Sequence, residues 1–278
     1  MILVCGEALV DLFLEPAQGA AIPARVIAGG SPFNVAVGLG RLGARAAFLG
    51  GLSSDHFGQH LAALLDTEGV SLDFARHLPQ LTTISVVALG PGGTPRYAFH
   101  GEGAADRMFG VADLPGELPP GIAAITFGSY SLAVEPCGSA YLALAQREKD
   151  RRVISLDPNV RPTIIGDMAR WHNRFATFAA CASVIKASEE DIVLAYGETA
   201  AIGEIARMWL GFGPRLVVIT RGADGAVAFA GSDSLALPGH AVDVVDTVGA
   251  GDTFHAALLA RLDQRGWLER DAIGALRP

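Results

Sequence analysis

Asp246-Thr247-Val248-Gly249-Ala250-Gly251-Asp252 runs straight into a helical pattern, Thr253-Phe254-His255-Ala256-Ala257-Leu258-Leu259. Small residues let a polyanion come close to the backbone. The N–H groups of a helix's first turn have no intrahelical acceptors, and together with the helix dipole they favour negative charge. An acid at Asp252 would repel such an anion unless it has chemical work there. Accepting a proton from an alcohol that attacks a phosphoryl group is work of that kind. A glycine-rich turn followed by an acid in the first helical turn accounts for the same residues on structural grounds alone.

Upstream of this stretch, short apolar runs alternate with helical patterns. The runs are 2–5, 46–49, 122–127, 153–156, 184–185 and 216–220, and the helical patterns are 32–42, 57–68, 137–149, 189–196 and 202–210. Such alternation predicts an α/β fold with a mostly parallel central sheet covered by helices on both faces. Ligands of such sheets gather at the carboxyl ends of the strands. Asp11, Asp157 and Thr220 fall just after apolar runs and are expected there. Residues 8–28 and 82–100 depart from the alternation. The second of these, Ile84-Ser85-Val86-Val87-Ala88-Leu89 followed by a Gly/Pro turn and Arg96-Tyr97-Ala98-Phe99, predicts a hairpin.

Half of the 278 residues are hydrophobic and 18% are charged, enough to bury a large core and too apolar for disorder. The net charge of −8 opposes binding to nucleic acid or anionic membranes. No apolar run is long enough to span a bilayer and no basic leader precedes one, so the expected compartment is the cytoplasm. Cys5, Cys137 and Cys181 are few, odd in number and widely spaced, as reduced thiols would be. Lys149 and Lys186 are the only lysines, so composition leaves phosphate recognition to arginine, backbone N–H groups and a metal ion. Gly38-Leu39-Gly40-Arg41-Leu42-Gly43 satisfies G-x-G-x-x-G, but Ser31 and Pro32 start a helix before it. The glycines then fall late in that helix, with Gly43 as its terminator, and a nicotinamide site is not expected.

Residues 246–252 resemble the C-terminal signature of the ribokinase-like (PfkB) carbohydrate kinases. Gly29-Gly30-Ser31-Pro32-Phe33-Asn34-Val35-Ala36 resembles their N-terminal one, and the two stand in the family's order. The resemblance runs from Ile2 to about Gly266. It implies a ribokinase-like fold in one kinase domain over 1–278, with a small β-sheet lid built from 8–28 and 82–109. The family's C-terminal segment would extend past residue 278. Within the family the chain is most similar to bacterial fructokinases, on Phe99 before Gly-Ala-Ala-Asp-Arg107, while the D-x-N-x-R pattern Asp157-Pro158-Asn159-Val160-Arg161 resembles both fructokinases and 2-keto-3-deoxygluconate kinases.

The resemblance implies an ATP-dependent kinase acting on the terminal hydroxyl of a ketohexose, fructose before 2-keto-3-deoxygluconate, ribose or a nucleoside. A non-catalytic sugar-binding regulator on the same scaffold is the reading from another class. Asp252 is implied as the general base, with the N–H groups of Gly249, Ala250 and Gly251 stabilising the transferring group. Sugar binding is implied for Asp11, Gly29, Gly30, Asn34, Phe99, Arg107, Asn159 and Arg161, besides Asp252. Asp and Asn suit a polyol because they supply acceptors and donors at fixed places. Filling the lid is an equal account of Phe99, and anchoring its segment an equal account of Arg107.

Nucleotide binding is implied for Lys186, Ser188, Thr220, Gly222, Gly225, Gly249 and Gly251. Mg²⁺ is implied to be held through water by Asp191, which stands where the family has Glu. The shorter acid reaches roughly 1.5 Å less far, so adjacent Glu190 is expected to share the role. Ser188 capping a helix whose first turn holds the acids explains the same residues structurally. Asp246 and Val248 match positions of a K⁺ site found in many members. Some relatives form homodimers through the lid and others do not, and the sequence does not choose.

Overall fold

In the computed structural model, residues 1–89, 95–243 and 247–274 are described. The central sheet contains β1 (Ile2–Cys5), β4 (Ala46–Leu49), β9 (Ala124–Gly128), β10 (Val153–Asp157), β11 (Val184–Ser188) and β12 (Leu216–Thr220). Two further strands, β13 (Ala226–Ala230) and β14 (Asp233–Leu237), extend one edge, giving the order β14-β13-β12-β11-β10-β9-β1-β4. The six strands from β12 to β4 are parallel, and β13 and β14 are antiparallel additions. This is the α/β sheet expected from the alternation, with one addition. The β13–β14 hairpin escaped sequence reasoning because every side chain of β14 is exposed, leaving no apolar signal.

Successive side chains of a strand face opposite ways, so β1 feeds two cores. Ile2 and Val4 pack with Phe33, Leu61, Ala256 and Leu259 of α1 (Ser31–Arg41), α2 (His56–Thr67) and α9 (Ala250–Gln264). Leu3 and Cys5 pack in the opposite core with Tyr141, Phe175, Ile192 and Trp209. Those come from α4 (Cys137–Glu148), α6 (Met168–Ala179), α7 (Glu189–Tyr196) and α8 (Ile202–Leu210). Helix α6 was not anticipated, although Trp171, Phe175 and Phe178 at i, i+4 and i+7 carry the signal of one buried face. The short helices are α3 (Ala105–Met108), α5 (Pro162–Ile165) and α10 (Arg270–Gly274). Among the described residues no helix is long and apolar enough to cross a membrane.

The lid is a separate sheet of β2 (Leu9–Leu14), β3 (Ala24–Gly29), β7 (Ile84–Leu89) and β8 (Pro95–His100), in the order β3-β2-β7-β8. The expected 84–99 hairpin is its β7–β8 pair. Strands β5 (Gly51–Ser53) and β6 (Arg76–Leu78) form a small third sheet.

The glycines of the false dinucleotide pattern serve helix packing. A Cβ on Gly38 would lie 2.8 Å from that of Ala256, and one on Gly40 would collide with the carbonyl of Glu68 at the end of α2. Gly43 ends the α1 segment at φ +72°. The close approach of α1 and α9 that Gly38 permits sets their N-terminal turns side by side.

Candidate active site

The carboxyl ends of β1, β9, β10 and β11 meet the lid across a cleft of about 750 Å³. Asp252 lies in this cleft, 7% exposed, in the first turn of α9. Gly249, in the left-handed conformation at φ +73°, turns the chain into that helix. Ser31 Oγ donates to one carboxylate oxygen at 2.7 Å, and Asn34 Nδ2 donates to the other at 2.8 Å. Burial raises the pKa of Asp252, while those two donors and the Lys186 charge hold the rise down. A carboxylate held in a fixed orientation, with its basicity raised, is suited to accept a proton.

Ser31 does not cap α1 as its position suggested. It is the first helical residue after Gly30, and its hydroxyl is spent on Asp252. Asn34 likewise serves the acid as well as lining the cleft. Of the three N–H groups expected to stabilise phosphate, that of Ala250 is donated to the Thr247 carbonyl at 3.2 Å. Gly249 and Gly251 line the cleft and Ala250 does not.

Lys186, 3% exposed on β11, brings an ammonium to the cleft lining. Its ammonium donates to Asp157 at 2.8 Å, and a Cβ on Gly251 would stand only 3.0 Å from Nζ. Gly251 is thus small because a buried ammonium reaches the start of α9 behind it. Burial alone would raise the pKa of Asp157, but Lys186 and His255 outweigh it and pull the group down to about 2. His255, also buried, is fixed by Ser155 Oγ at 2.8 Å from Nε2. The same ion pair holds Lys186 charged against its own desolvation.

Several of the residues expected to bind sugar come together in the cleft beneath the lid. Asp11, Ser85 and Phe99 occupy one cross-strand row of β2, β7 and β8, and all three line the cleft. Gly30 and Asn159 line it too, as does Arg161. Asn159 takes φ +35°, a region Asn tolerates better than most residues. Gly29 does not line the cleft; its missing side chain makes room for the Asp11 carboxylate. Arg107 lies outside the lining and stacks on Tyr130, 5.1 Å from the ring centroid. Phe99 meets the same ring edge-on at 6.2 Å. The structure therefore gives Arg107 an anchoring contact and leaves Phe99 with both a packing contact and a cleft-facing position.

Ser188 and Asp191 form a reciprocal cap on α7, and Asp191 also accepts the Val160 N–H at 2.7 Å. These bonds tie the helix start to the Asn159–Arg161 loop, and they fill the carboxylate expected to act on Mg²⁺. Exposed Glu190 lines the cleft beside it. Among the described residues, no cluster of three or more His, Cys, Asp or Glu side chains could hold a metal. Thr220 pairs in register with Ser188, but it, Gly222 and Gly225 stay outside the cleft lining. Gly225 is required structurally, since a side chain there would strike the Leu237 carbonyl. Val248 lines the cleft, and Asp246, its expected companion in a K⁺ site, lies outside the described residues.

Glu7, Ser85, Ser129 and Tyr130 also line the cleft and were missed from sequence. Glu7 had a usable signal, because it stands two residues past β1, a strand buried on both faces. Ser85 had another, a lone hydroxyl in an apolar strand; Tyr130 had none.

The description "pfkB family carbohydrate kinase" matches residues 1–273. A fructokinase of Rhizobium leguminosarum bv. trifolii is 41% identical over 276 residues, covering 99% of this chain and 84% of that protein. A crystal structure of a fructokinase from Xylella fastidiosa with bound ATP superposes with a TM-score of 0.86 at 27% identity, over 95% of this chain and 81% of that one. A fructokinase from Vibrio cholerae, in a form with fructose, ADP and calcium ion bound, gives 0.83 at 31% identity, over 98% and 88%. The parallel sheet with its lid is the ribokinase-like fold, and with the family match over nearly the whole chain it identifies the protein as a member of the pfkB family of carbohydrate kinases.

Proposed function

We propose that this kinase transfers the terminal phosphoryl group of ATP to the terminal hydroxyl of a ketohexose, fructose, giving fructose 6-phosphate. The observation that carries the reading is Asp252, buried in the cleft at the start of α9 and oriented by Ser31 and Asn34. Similarity to fructokinases across nearly the whole chain supports the choice of sugar.

The sugar lies between Asp11, Gly30 and Asn34 under the lid, with its reacting hydroxyl at Asp252. ATP lies along Ser188 and the Gly249–Gly251 turn. Asp252 takes the hydroxyl proton as that oxygen attacks the phosphoryl group in line. First-turn N–H groups of α9 and the Lys186 ammonium oppose the negative charge of the transferring group. The residues fit Mg²⁺ held through water by Glu190, which is exposed in the cleft lining, while both oxygens of Asp191 already accept hydrogen bonds. When bound, the ion neutralises phosphate charge. Closure of the lid keeps water from competing with the sugar. The three cysteines are unpaired and buried, which suits a reducing compartment such as the cytoplasm.

A coupled ADP-release assay over fructose, 2-keto-3-deoxygluconate, ribose and adenosine tests the substrate, and fructose is expected to give the highest kcat/KM. Turnover with the keto acid and none with fructose overturns that choice. Sugar protection in a thermal shift with no turnover on any of the four favours the binding-protein reading instead. Asp252→Asn is expected to keep sugar affinity and lose roughly 10²-fold or more in kcat. A near-normal kcat in that variant removes the assigned base.

A further inference from the structure

Glu7 stands at the carboxyl end of β1, 1% exposed, in the wall of the cleft. Gly30 separates it from the catalytic acid. A Cβ on Gly30 would lie 3.3 Å from Glu7 Cγ, and the next residue, Ser31, donates to Asp252. The hydroxyls of Ser129 and Ser131 approach the Glu7 carboxyl, yet Oε2 has no hydrogen-bond partner. Asp106, the other acid in this region, differs: Thr83 and Tyr130 donate to its two oxygens at 2.6 Å each. A buried polar atom left unpaired carries its full desolvation penalty, and one in the wall of a ligand cleft is placed to take a partner from the cleft.

We propose that Glu7 is a sugar-recognising residue of this kinase, exchanging hydrogen bonds with a ring hydroxyl of the substrate that lies against Gly30. The proposal rests on the sugar-kinase reading above and adds a contact to it. Burial, only partly offset by Ser129 and Ser131, pushes Glu7 up to about 8, so the group is a neutral acid at pH 7. A neutral carboxyl has one O–H to give and a carbonyl to receive, the same pair of functions a sugar hydroxyl has. Charged Glu7 could only accept, and it would sit ionised and stripped of water near Asp106. The other titratable groups coupled to it are Tyr130, Cys137 and Tyr141, all raised by burial and neutral over the working range. Arg107, stacked on Tyr130, acts on Asp106 and Tyr130.

The test compares Glu7→Gln and Glu7→Ala with the wild type, measuring kcat, both KM values and the pH profile of kcat/KM. Glu7→Ala is expected to raise the sugar KM roughly 10-fold or more, with kcat and the ATP KM within about twofold. Glu7→Gln, neutral and of the same shape, is expected to recover most of that loss at pH 7. Sugar kcat/KM of the wild type should decline as pH rises through about 8, and Glu7→Gln should lack the decline. An unchanged sugar KM in Glu7→Ala overturns the proposal. So does an alkaline decline that persists in Glu7→Gln, and this second arm decides the matter if Glu7→Ala does not fold. Wild-type turnover on fructose reports separately on the substrate reading. If another sugar of the panel is the one phosphorylated, the same comparison is made with it, and with no turnover at all it is made by sugar-induced thermal shift.

Discussion

Removing the Ser31 hydroxyl isolates how the site sets the strength of its base. In Ser31→Ala the helix should be undisturbed, because Ser31 makes no side-chain cap and alanine is a better helix former. What disappears is a 2.7 Å hydrogen bond to one oxygen of a buried carboxylate, leaving the 2.8 Å bond from Asn34 on the other. A bond to a charged group is worth about 1.5–3 kcal/mol, and about 1.4 kcal/mol is a factor of ten. Burial already raises the pKa of Asp252, and loss of a donor to its ionised form raises it further. The basic form is thus depleted roughly 10- to 150-fold at pH values where the acid titrates. In an ADP-release assay from acid to mildly alkaline pH, the acid limb of kcat/KM should move to higher pH. Wild type and variant should converge on the alkaline side, where both are ionised. A uniform loss at all pH values with the limb unmoved would refute the reasoning, since Ser31 would then act by touching substrate. An unaltered profile would refute it as directly.

Other perturbations test the scaffold behind the site. Gly38→Val places a side chain where even a Cβ would stand 2.8 Å from Ala256, so α1 and α9 must separate. Overpacking of this kind costs about 1–3 kcal/mol, and kcat should fall beyond what stability explains as Ser31 and Asn34 leave Asp252. Denaturant titration and steady-state rates on the same samples check it, and normal kcat in a destabilised protein would break the link. Asp157, held down to about 2 in the folded state against 3.8 unfolded, stabilises the fold above pH 4. That stabilisation, about 2 kcal/mol, falls away as pH drops toward 2. Paired removal of the charges, Asp157→Asn with Lys186→Met, should flatten the acid dependence of denaturant stability in this range. An equally steep dependence in the double variant assigns the acid loss to other groups.

How much was legible in the chain depends on how local each signal is. The parallel strands could be read because burial on both faces demands continuous apolar runs, as in Leu216–Thr220. The lid hairpin could be read from its turn and alternation. Strand β14 could not, because pairing with β13 imposes no apolar pattern on side chains that face solvent. In the site, Gly249 and Asp252 were legible because a turn into a helix needs particular residues at adjacent positions. Asp191 was legible as a member of the site, but its capping bond and its bond to Val160 emerged only with α7 and the 159–161 loop in place.

The order of apolar runs, the Gly249 turn and the acid that follows it are local properties, so the sequence by itself determined the fold class, and the resemblance carried by its two motifs implied the reaction. The assignments of individual donors were decided only by tertiary structure. Ser31 and Asn34 reach Asp252 across more than two hundred residues because Gly38 lets two helices pack closely. Lys186 reaches the start of α9 because Gly251 leaves room and Asp157 keeps it charged. Glu7 is one of 29 acids in the chain; its place after the buried β1 run puts it at a strand end, but only folding shows that it is stripped of water beside Gly30. Desolvation and long-range hydrogen bonds depend on which surfaces meet, and that information appears only when the sheet, its two helical layers and the lid are assembled.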